Sequence, residues 1–447
     1  MKSISKPMMD MKLIREAPAK VQDALRKRGM DMDLSELISL DKQRRAAIAE
    51  VEGLKSRRNQ VSSEISVLLA ENKPADDLIV EMKGVSATIK TLDSHVAEIS
   101  NQISNLLDQI PNIPDDDVPA GGKEANEVIR KWGDRPEFDF EVLDHVEISE
   151  RLGLIDYNRG VKLGGANFWL YSGDGALLEW GLINYFVESH LKDGYEFILP
   201  PHLLRYESGY AAGQFPKFAD DVFLVAQKEA QEGGQFLLPT AETALINLHR
   251  DEILAEEELP RKYFAYTPCY RKEVGSYRAT ERGTMRGHQF NKVEMFQFTA
   301  PERSSEAHLE LLEKAERLVQ GLGLHYQVTQ LAAQDMSEAM AKTYDVEIWI
   351  PSLARYSEVS SVSNARDYQA RRGMVRFRRS TNNKIEYVHT LNASGLATSR
   401  LFVGLVEQLQ QADGSIVIPE VLRKWVGKDV LSPGNVDHPN VQYGSQI

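Results

Sequence analysis

The stretch LIVEMKGVSATIKTLDSHVAEISNQISNL, Leu78 to Leu106, carries apolar residues at Leu78, Met82, Val85, Ile89, Leu92, Val96, Ile99, Ile103 and Leu106. The spacing alternates four and three without a break, which is a heptad seam of about 3.5 residues per turn. The same rhythm runs earlier, at Leu37, Leu40, Ala47, Val51, Leu54, Val61, Ile65 and Leu68, interrupted only by Arg44 and Arg58. Between the two lies Asn72-Lys73-Pro74-Ala75-Asp76-Asp77, a helix-stopping proline followed by an acidic pair suited to a helix start. Two seams joined by so short a turn predict an antiparallel coiled-coil arm over residues 37–109. With roughly 30 residues per helix, the arm should reach about 45–50 Å.

Around the arm, the chain reads as an N-terminal domain over 1–115, a linker over 116–137, a mixed α and β domain over 138–430 and a polar tail over 431–447. The boundary is marked by Ile110-Pro111-Asn112-Ile113-Pro114, the acidic run Asp115-Asp116-Asp117, and Pro119-Ala120-Gly121-Gly122. The 447 residues allow two to four domains of about 100–200 residues. Hydrophobic residues at 42% and charged residues at 27% exclude general disorder. No run of 18 apolar residues occurs, so no membrane span is expected. The one cysteine, Cys269, can neither close an intrachain disulfide nor build a zinc cage, so no zinc is expected. Met1 to Asp10 lacks the apolar core of a secretory signal, which leaves the cytoplasm as the expected location.

A net charge of −13 argues against a generally sticky nucleic-acid coat, but not against a local basic stripe. The first arm helix carries Lys42, Arg44, Arg45, Lys55, Arg57 and Arg58. Charge alone leaves two readings open there, a solvated coiled-coil surface or a stripe that tracks phosphates.

Beyond Phe138, helical stretches alternate with short strands rich in aromatic and β-branched residues. Ala176 to Lys192 reads as a helix, and Gly194 to Pro201 as a strand ended by prolines. Lys262 to Glu273 (KYFAYTPCYRKE) would place Arg271 and Glu273 on one face of a strand, and His288 to Thr299 (HQFNKVEMFQFT) Phe290 and Glu294. A third strand, Glu386 to Ser394, presents Asn392 and Ser394 and runs into a helix from about Gly395 to Gln411, with Arg400 near its start. An arginine can hold a phosphate, an aromatic ring can stack on a base, and acids can bind an amine or a metal. These strands therefore suggest an antiparallel sheet lined by a nucleotide site. Singly, each residue is as well explained by an ion pair or by core packing.

Tyr270-Arg271-Lys272-Glu273 and His288-Gln289-Phe290-Asn291-Lys292-Val293-Glu294 resemble motif 2 of the seryl-tRNA synthetases, a class II aminoacyl-tRNA synthetase family. Other stretches agree in chain order. Met11 to Glu16 resembles the family's N-terminal signature, Ile110 to Pro114 its arm exit, and Gly194 to Pro201 its motif 1. Gln214 to Phe218, Pro239-Thr240-Ala241-Glu242, Glu358-Val359-Ser360-Ser361 and Tyr368 to Arg372 resemble later blocks, and Leu391 to Arg400 resembles motif 3. The likeness spans Met11 to about Trp425.

The resemblance implies an α+β fold: a class II antiparallel sheet with flanking helices, preceded by a coiled-coil arm. It implies a homodimeric ligase that forms seryl-adenylate from L-serine and ATP with Mg²⁺, then charges tRNA(Ser) and, where one exists, tRNA(Sec). Serine would be bound by Thr240, Ala241, Glu242, Glu294, Asn392 and Ser394. ATP would be bound by Arg271, Lys272, Glu273, Gly287, His288, Gln289, Phe290, Glu358, Val359, Ser360, Ser361 and Arg400. Arg271 and Arg400 would stabilise the transition state, Phe290 and Arg400 would sandwich adenine, Glu273 would read its edge, and Glu358 and Ser361 would hold Mg²⁺. Lys55, Arg57 and Arg58 would meet the long variable arm of the tRNA, and the loop Gly275 to Gly283 its acceptor end.

The sequence departs from the family pattern at Thr280-Glu281, at Val362, at Ala393 and at Thr398-Ser399, the last where Val-Gly or a similar pair is usual. An amino-acid:carrier-protein ligase on the same core would lack the arm. A non-catalytic derivative would be expected to lose Arg271, Glu358 or Arg400, and all three are present.

Overall fold

The computed structural model describes residues 9–225, 234–274 and 282–433. The acceptor-end loop expected from the sequence therefore falls largely outside the described residues, as does most of the tail. The chain divides into two compact units, Met1–Ile113 and Pro114–Ile447.

The first unit opens with α1 (Met11–Glu16), whose N-terminus is capped by Asp10, and α2 (Pro18–Lys27). Then come α3 (Ser35–Ala70) and α4 (Asp76–Leu107), of 36 and 32 residues, or about 48–54 Å. The chain leaves α3 through Asn72, in the left-handed region at φ 54°, and Asp76 and Asp77 occupy the first turn of α4. Every seam position named above is buried or half-buried. The interruption at Arg44 has a cause: Asp41 is buried and takes hydrogen bonds from Arg44 (2.8 Å) and from Arg15 of α1 (3.0 Å). Lys55 and Arg57 pair across the hairpin with Asp93 (3.2 Å) and Glu81 (3.4 Å).

The second unit is built on an eight-stranded sheet. In chain order its strands are β1 (Glu127–Trp132), β2 (Glu196–Ile198), β3 (Arg261–Tyr270), β4 (Gln289–Thr299), β5 (Tyr326–Gln330), β6 (Lys342–Ile350), β7 (Arg355–Arg366) and β8 (His389–Ala397). The spatial order is β1-β5-β6-β7-β8-β4-β3-β2. All neighbours are antiparallel except β2 and β3.

Strand alternation gives the sheet two different faces. Val293, Met295, Val346, Ile348, Val362, Leu391 and Ala393 point to one side. There they pack on α5 (Asp174–Lys192), α6 (Ser304–Gly321) and α7 (Thr398–Gln408), through Leu178, Phe186, Leu311, Leu318, Phe402 and Leu405 among others. Their alternating neighbours, Lys292, Glu294, Asp345, Ser361, Asn392 and Ser394, face the other side. A slip of one residue would exchange the two sets, so burial of the apolar face fixes where the polar groups stand.

Two strand boundaries differ from the sequence reading. β3 ends at Tyr270, and Glu273 lies in the left-handed region at φ 53°, so strand alternation does not align it with Arg271. The third strand is two strands, Ile385–Tyr387 in a small separate sheet and then β8. β8 continues past Gly395, pairing Ala397 with Lys292, and α7 starts only at Thr398. A Cβ at Gly395 would lie 2.5 Å from His190 Nε2, so the close packing of His190 against the strand needs glycine there. Cys269 is fully buried on β3 opposite Phe290, and burial pushes its thiol up from its ordinary pKa.

Candidate active site

Three adjoining pockets open on the polar face. The first is lined by Arg271, Glu273, Arg286, Phe290, Lys292 and Arg400. The Arg271 guanidinium lies 5.3 Å from the centre of the Phe290 ring, and its Nε donates to the carbonyl of Pro239 at 3.2 Å. Arg400 donates to Glu358 Oε2 at 3.1 Å and to the carbonyl of Met285 at 3.3 Å. Glu273 accepts from Arg286 at 2.8 Å. Gly287 lines this pocket beneath Trp169, where a Cβ would come within 2.0 Å of the indole. An aromatic plane with a planar cation over it and a second arginine in the same pocket is a stacking surface for a purine.

The second pocket, of about 330 Å³, is lined by Thr240, Glu242, Arg271, Lys292, Glu294, Asn392 and Ser394, among others. Lys292 is buried there, donates to Thr240 Oγ1 at 2.6 Å and pairs with Glu294. Asn392 donates to Glu294 Oε1 at 3.2 Å, while Glu294 Oε2 accepts no hydrogen bond beyond that ion pair. Glu242 accepts from Gln369 at 2.6 Å. Burial, and next the charge of Glu294, push the Glu242 carboxyl up to about 7. Two acids, an ammonium and short hydroxyl and amide groups in so small a space suit a small zwitterion with a polar side chain.

Glu358 lines all three pockets. The third, of about 350 Å³, adds Asp335, Asp345 and Glu347 and shares Ser361 with the second. Asp345 stands opposite Ser361 across the β6–β7 ladder, and Glu347 stands opposite Glu358. Burial, then the charge of Glu358, push the Asp345 carboxyl well above its usual range. Like charges directly across a ladder are unfavourable unless a cation joins them. Asp345 Oδ1 is buried with no hydrogen-bond partner. Glu347 is itself held by Gln327 and Thr329, and among the described residues no three acidic or imidazole side chains form a full metal cage. The site therefore fits at most Mg²⁺, a hard ion that takes few protein carboxylates and fills its shell with water and phosphate.

Not every expected residue turns its side chain to the pockets. Ser360 donates to the carbonyl of Ser394 at 2.6 Å, which joins β7 to β8. His288 bonds the Arg271 carbonyl (3.0 Å) and packs against Phe168 and Phe223. The backbone N–H of Lys272 donates to Asp221 (2.8 Å), Gln289 is exposed, and Ala241 is buried among apolar neighbours. Val359 is a core residue that also borders the first pocket. The sequence reading missed Lys292, which borders both the first and second pockets. Its place two residues from both Phe290 and Glu294 was the available signal. It also missed Asp345, whose only cue was an acid inside an apolar strand.

A mostly antiparallel sheet with helices on one face and this cleft on the other defines a class II aminoacyl-tRNA synthetase core. The family model for the tRNA synthetase class II core domain (G, H, P, S and T) matches residues 223–409. The model for the seryl-tRNA synthetase N-terminal domain matches residues 8–114. A serine–tRNA ligase 2 of Clostridium acetobutylicum is 59% identical over 425 residues, which cover 95% of this chain and 100% of that one. A crystal structure of seryl-tRNA synthetase from Pyrococcus horikoshii complexed with ATP has 33% identity and a TM-score of 0.89, covering 95% of this chain and 100% of that one. The cytoplasmic serine–tRNA ligase of Naegleria fowleri, solved with AMP, has 27% identity and a TM-score of 0.85, covering 95% and 98%. The chain belongs to the seryl-tRNA synthetase family.

Proposed function

We propose that this chain activates L-serine with ATP and transfers it to tRNA(Ser), and to tRNA(Sec) where one exists. The observation that carries the proposal is the juxtaposition of two sites: the zwitterion pocket of Thr240, Glu242, Glu294 and Ser394 shares Arg271 and Lys292 with the stacking cleft of Phe290. The likeness to an ATP-bound seryl-tRNA synthetase supports it.

In this reading the serine ammonium is received by Thr240 and Glu242, and the serine hydroxyl by Glu294 and Ser394, with Asn392 holding Glu294. Adenine stacks on Phe290. Arg400 leaves Glu358 to cover its other face, and Glu273 reads the adenine edge. The serine carboxylate attacks the α-phosphorus, pyrophosphate departs, and Arg271 stabilises the charge on the equatorial oxygens. A planar, permanently charged fork suits that transition state, and no side-chain nucleophile is needed. Mg²⁺, held by Glu358 and Ser361, would neutralise the phosphates. A terminal hydroxyl of the tRNA then attacks the acyl carbonyl, and AMP leaves.

Lys55, Arg57 and Arg58 are assigned to the tRNA backbone. Two of them already hold exposed ion pairs, which are weak enough to exchange for phosphate. A homodimer is supported by the exposed apolar Leu177, Trp180, Leu191, Phe197 and Leu199 on α5, on β2 and just beyond it. Among the described residues no helix is long and apolar enough to cross a membrane, and the cytoplasm remains the proposed location. Serine-dependent ATP–pyrophosphate exchange, followed by charging of total tRNA, tests the proposal. Exchange without charging would favour a carrier-loading ligase, and absence of both would overturn the assignment.

A further inference from the structure

Behind the cleft, on the apolar side of the sheet, lies a carboxyl group that the mechanism above does not use. Glu179 of α5 is buried. Its Oε1 accepts from Asn291 Nδ2 at 2.8 Å and from Thr398 Oγ1 at 2.6 Å. Thr398 also donates to the backbone carbonyl of Asn291 at 3.2 Å. Tyr266 of β3 completes the cluster by donating to Asn291 Oδ1 at 3.1 Å.

The two donors stand at telling places. Asn291 sits between Phe290 and Lys292, so strand alternation sends its side chain backward while theirs face the cleft. Thr398 is the first residue of α7, two residues before Arg400.

We propose that Glu179 is a positioning residue for nucleotide binding: through Asn291 and Thr398 it ties the strand bearing Phe290 to the helix start bearing Arg400, and so fixes the two walls of the adenine cleft relative to each other. The inference rests on the assignment of that cleft to adenine, and not on the identity of the amino acid.

The same geometry makes the hold sensitive to protonation. Glu179 Oε2 and the Tyr171 hydroxyl are both buried without another partner, and the Tyr171 hydroxyl faces the carboxyl and favours its ionised form. Burial holds the carboxyl up to about 7 despite its donors. The titratable groups that face it, Tyr171 from the short strand Leu170–Tyr171 and Tyr266 from β3, are themselves pushed up by burial and stay neutral. Ionisation carries the cost of a buried charge with no cation beside it, but it strengthens the hydrogen bonds that Thr398, Asn291 and the Tyr171 hydroxyl offer the carboxylate, and so tightens the tie. Protonation therefore slackens the link between the two walls.

The test is titration of Mg²⁺-ATP into the full chain without serine, followed by calorimetry. Glu179→Ala should weaken ATP binding roughly tenfold or more, because two buried donors lose their acceptor. Glu179→Gln keeps the acceptor and should bind ATP like the parent near pH 6. The parent's ATP affinity should rise as pH rises through about 7, and Glu179→Gln should lack that rise. Thr398→Val removes a donor that favours the ionised form, so it should move the rise to higher pH. This variant carries the test if Glu179→Ala does not fold. Unchanged ATP affinity in Glu179→Ala, a pH dependence that persists in Glu179→Gln, or an unmoved one in Thr398→Val would each overturn the inference. A parent that binds ATP but gives no serine-dependent exchange would overturn the proposed function and leave this inference standing.

Discussion

Glu242 and Glu294 share a buried pocket with one ammonium group, Lys292, and that imbalance sets how the pocket should respond to pH. Burial and the charge of Glu294 raise Glu242 to about 7, above the ordinary value of about 4.3 for an unfolded chain. The folded protein therefore retains a proton that the unfolded chain releases. Its relative stability should decline as pH climbs from about 4.5 through about 7. Serine binding has the opposite sign, because the substrate ammonium favours the ionised carboxylate. The kcat/KM for serine in pyrophosphate exchange should rise through about pH 7. Glu242→Gln should abolish that rise, and an unchanged profile would remove Glu242 from the ammonium site. The hydroxyl site makes a separate prediction. Alanine leaves Glu294 and Ser394 unpaired and should be activated roughly 10⁴-fold less well than serine, which exchange with each amino acid would measure. Arg271→Ala should slow adenylate formation by about 10²–10³ without unfolding the chain, since it removes an interaction made in the transition state. Near-normal exchange by this variant would contradict its assignment. At this scale the site was legible where a strand alternates: Phe290 and Glu294, and Asn392 and Ser394, were readable as shared faces. Glu273 was not, because a positive φ lies outside any periodic pattern. Glu179 was hidden for another reason. Its partners are distant in sequence, and an acid on an amphipathic helix looks like a solvated one.

Among the elements, the arm was the most legible, because a coiled coil is its own environment and its seam needs no distant strand to interpret it. Arg44 looked like a defect in that seam until Asp41 and Arg15 were seen beside it. The boundary between β8 and α7 was the least legible. LNASGLATSR suits either structure locally, and pairing with β4 settles the strand as far as Ala397. The arm also carries its own experiment. Deleting residues 48–98 and closing the ends with a short glycine linker spares Asp41 and its partners at the base. Serine-dependent exchange should survive, since every proposed adenylate-binding residue lies beyond Pro114. Charging of tRNA should collapse, and full charging would overturn the arm's proposed role. In a milder variant, Lys55, Arg57 and Arg58 all changed to alanine, the KM for tRNA should rise. Its dependence on log salt should flatten by up to about one unit for each phosphate no longer neutralised.

The whole molecule carries a net charge of −13 and is proposed to bind a polyanion. Attraction must then come from local cations working against a repulsive average, and salt affects the two differently. Raising ionic strength from about 50 to about 200 mM should raise the KM for tRNA steeply while moving the KM for serine little. Equal responses would argue that tRNA is not held predominantly by ionic attraction. The single cysteine opens a route to such measurements. Cys269 is sealed inside the sheet, with its thiol held in the protonated, unreactive form at neutral pH. Maleimide reagents should therefore leave the folded parent unlabelled. A cysteine placed at the arm turn, at exposed Lys73 for example, would accept one fluorophore without any prior replacement of the native thiol. The protein thus comes ready for site-selective spectroscopy, and anisotropy of an arm-tip dye during tRNA titration could be read without background from the catalytic unit.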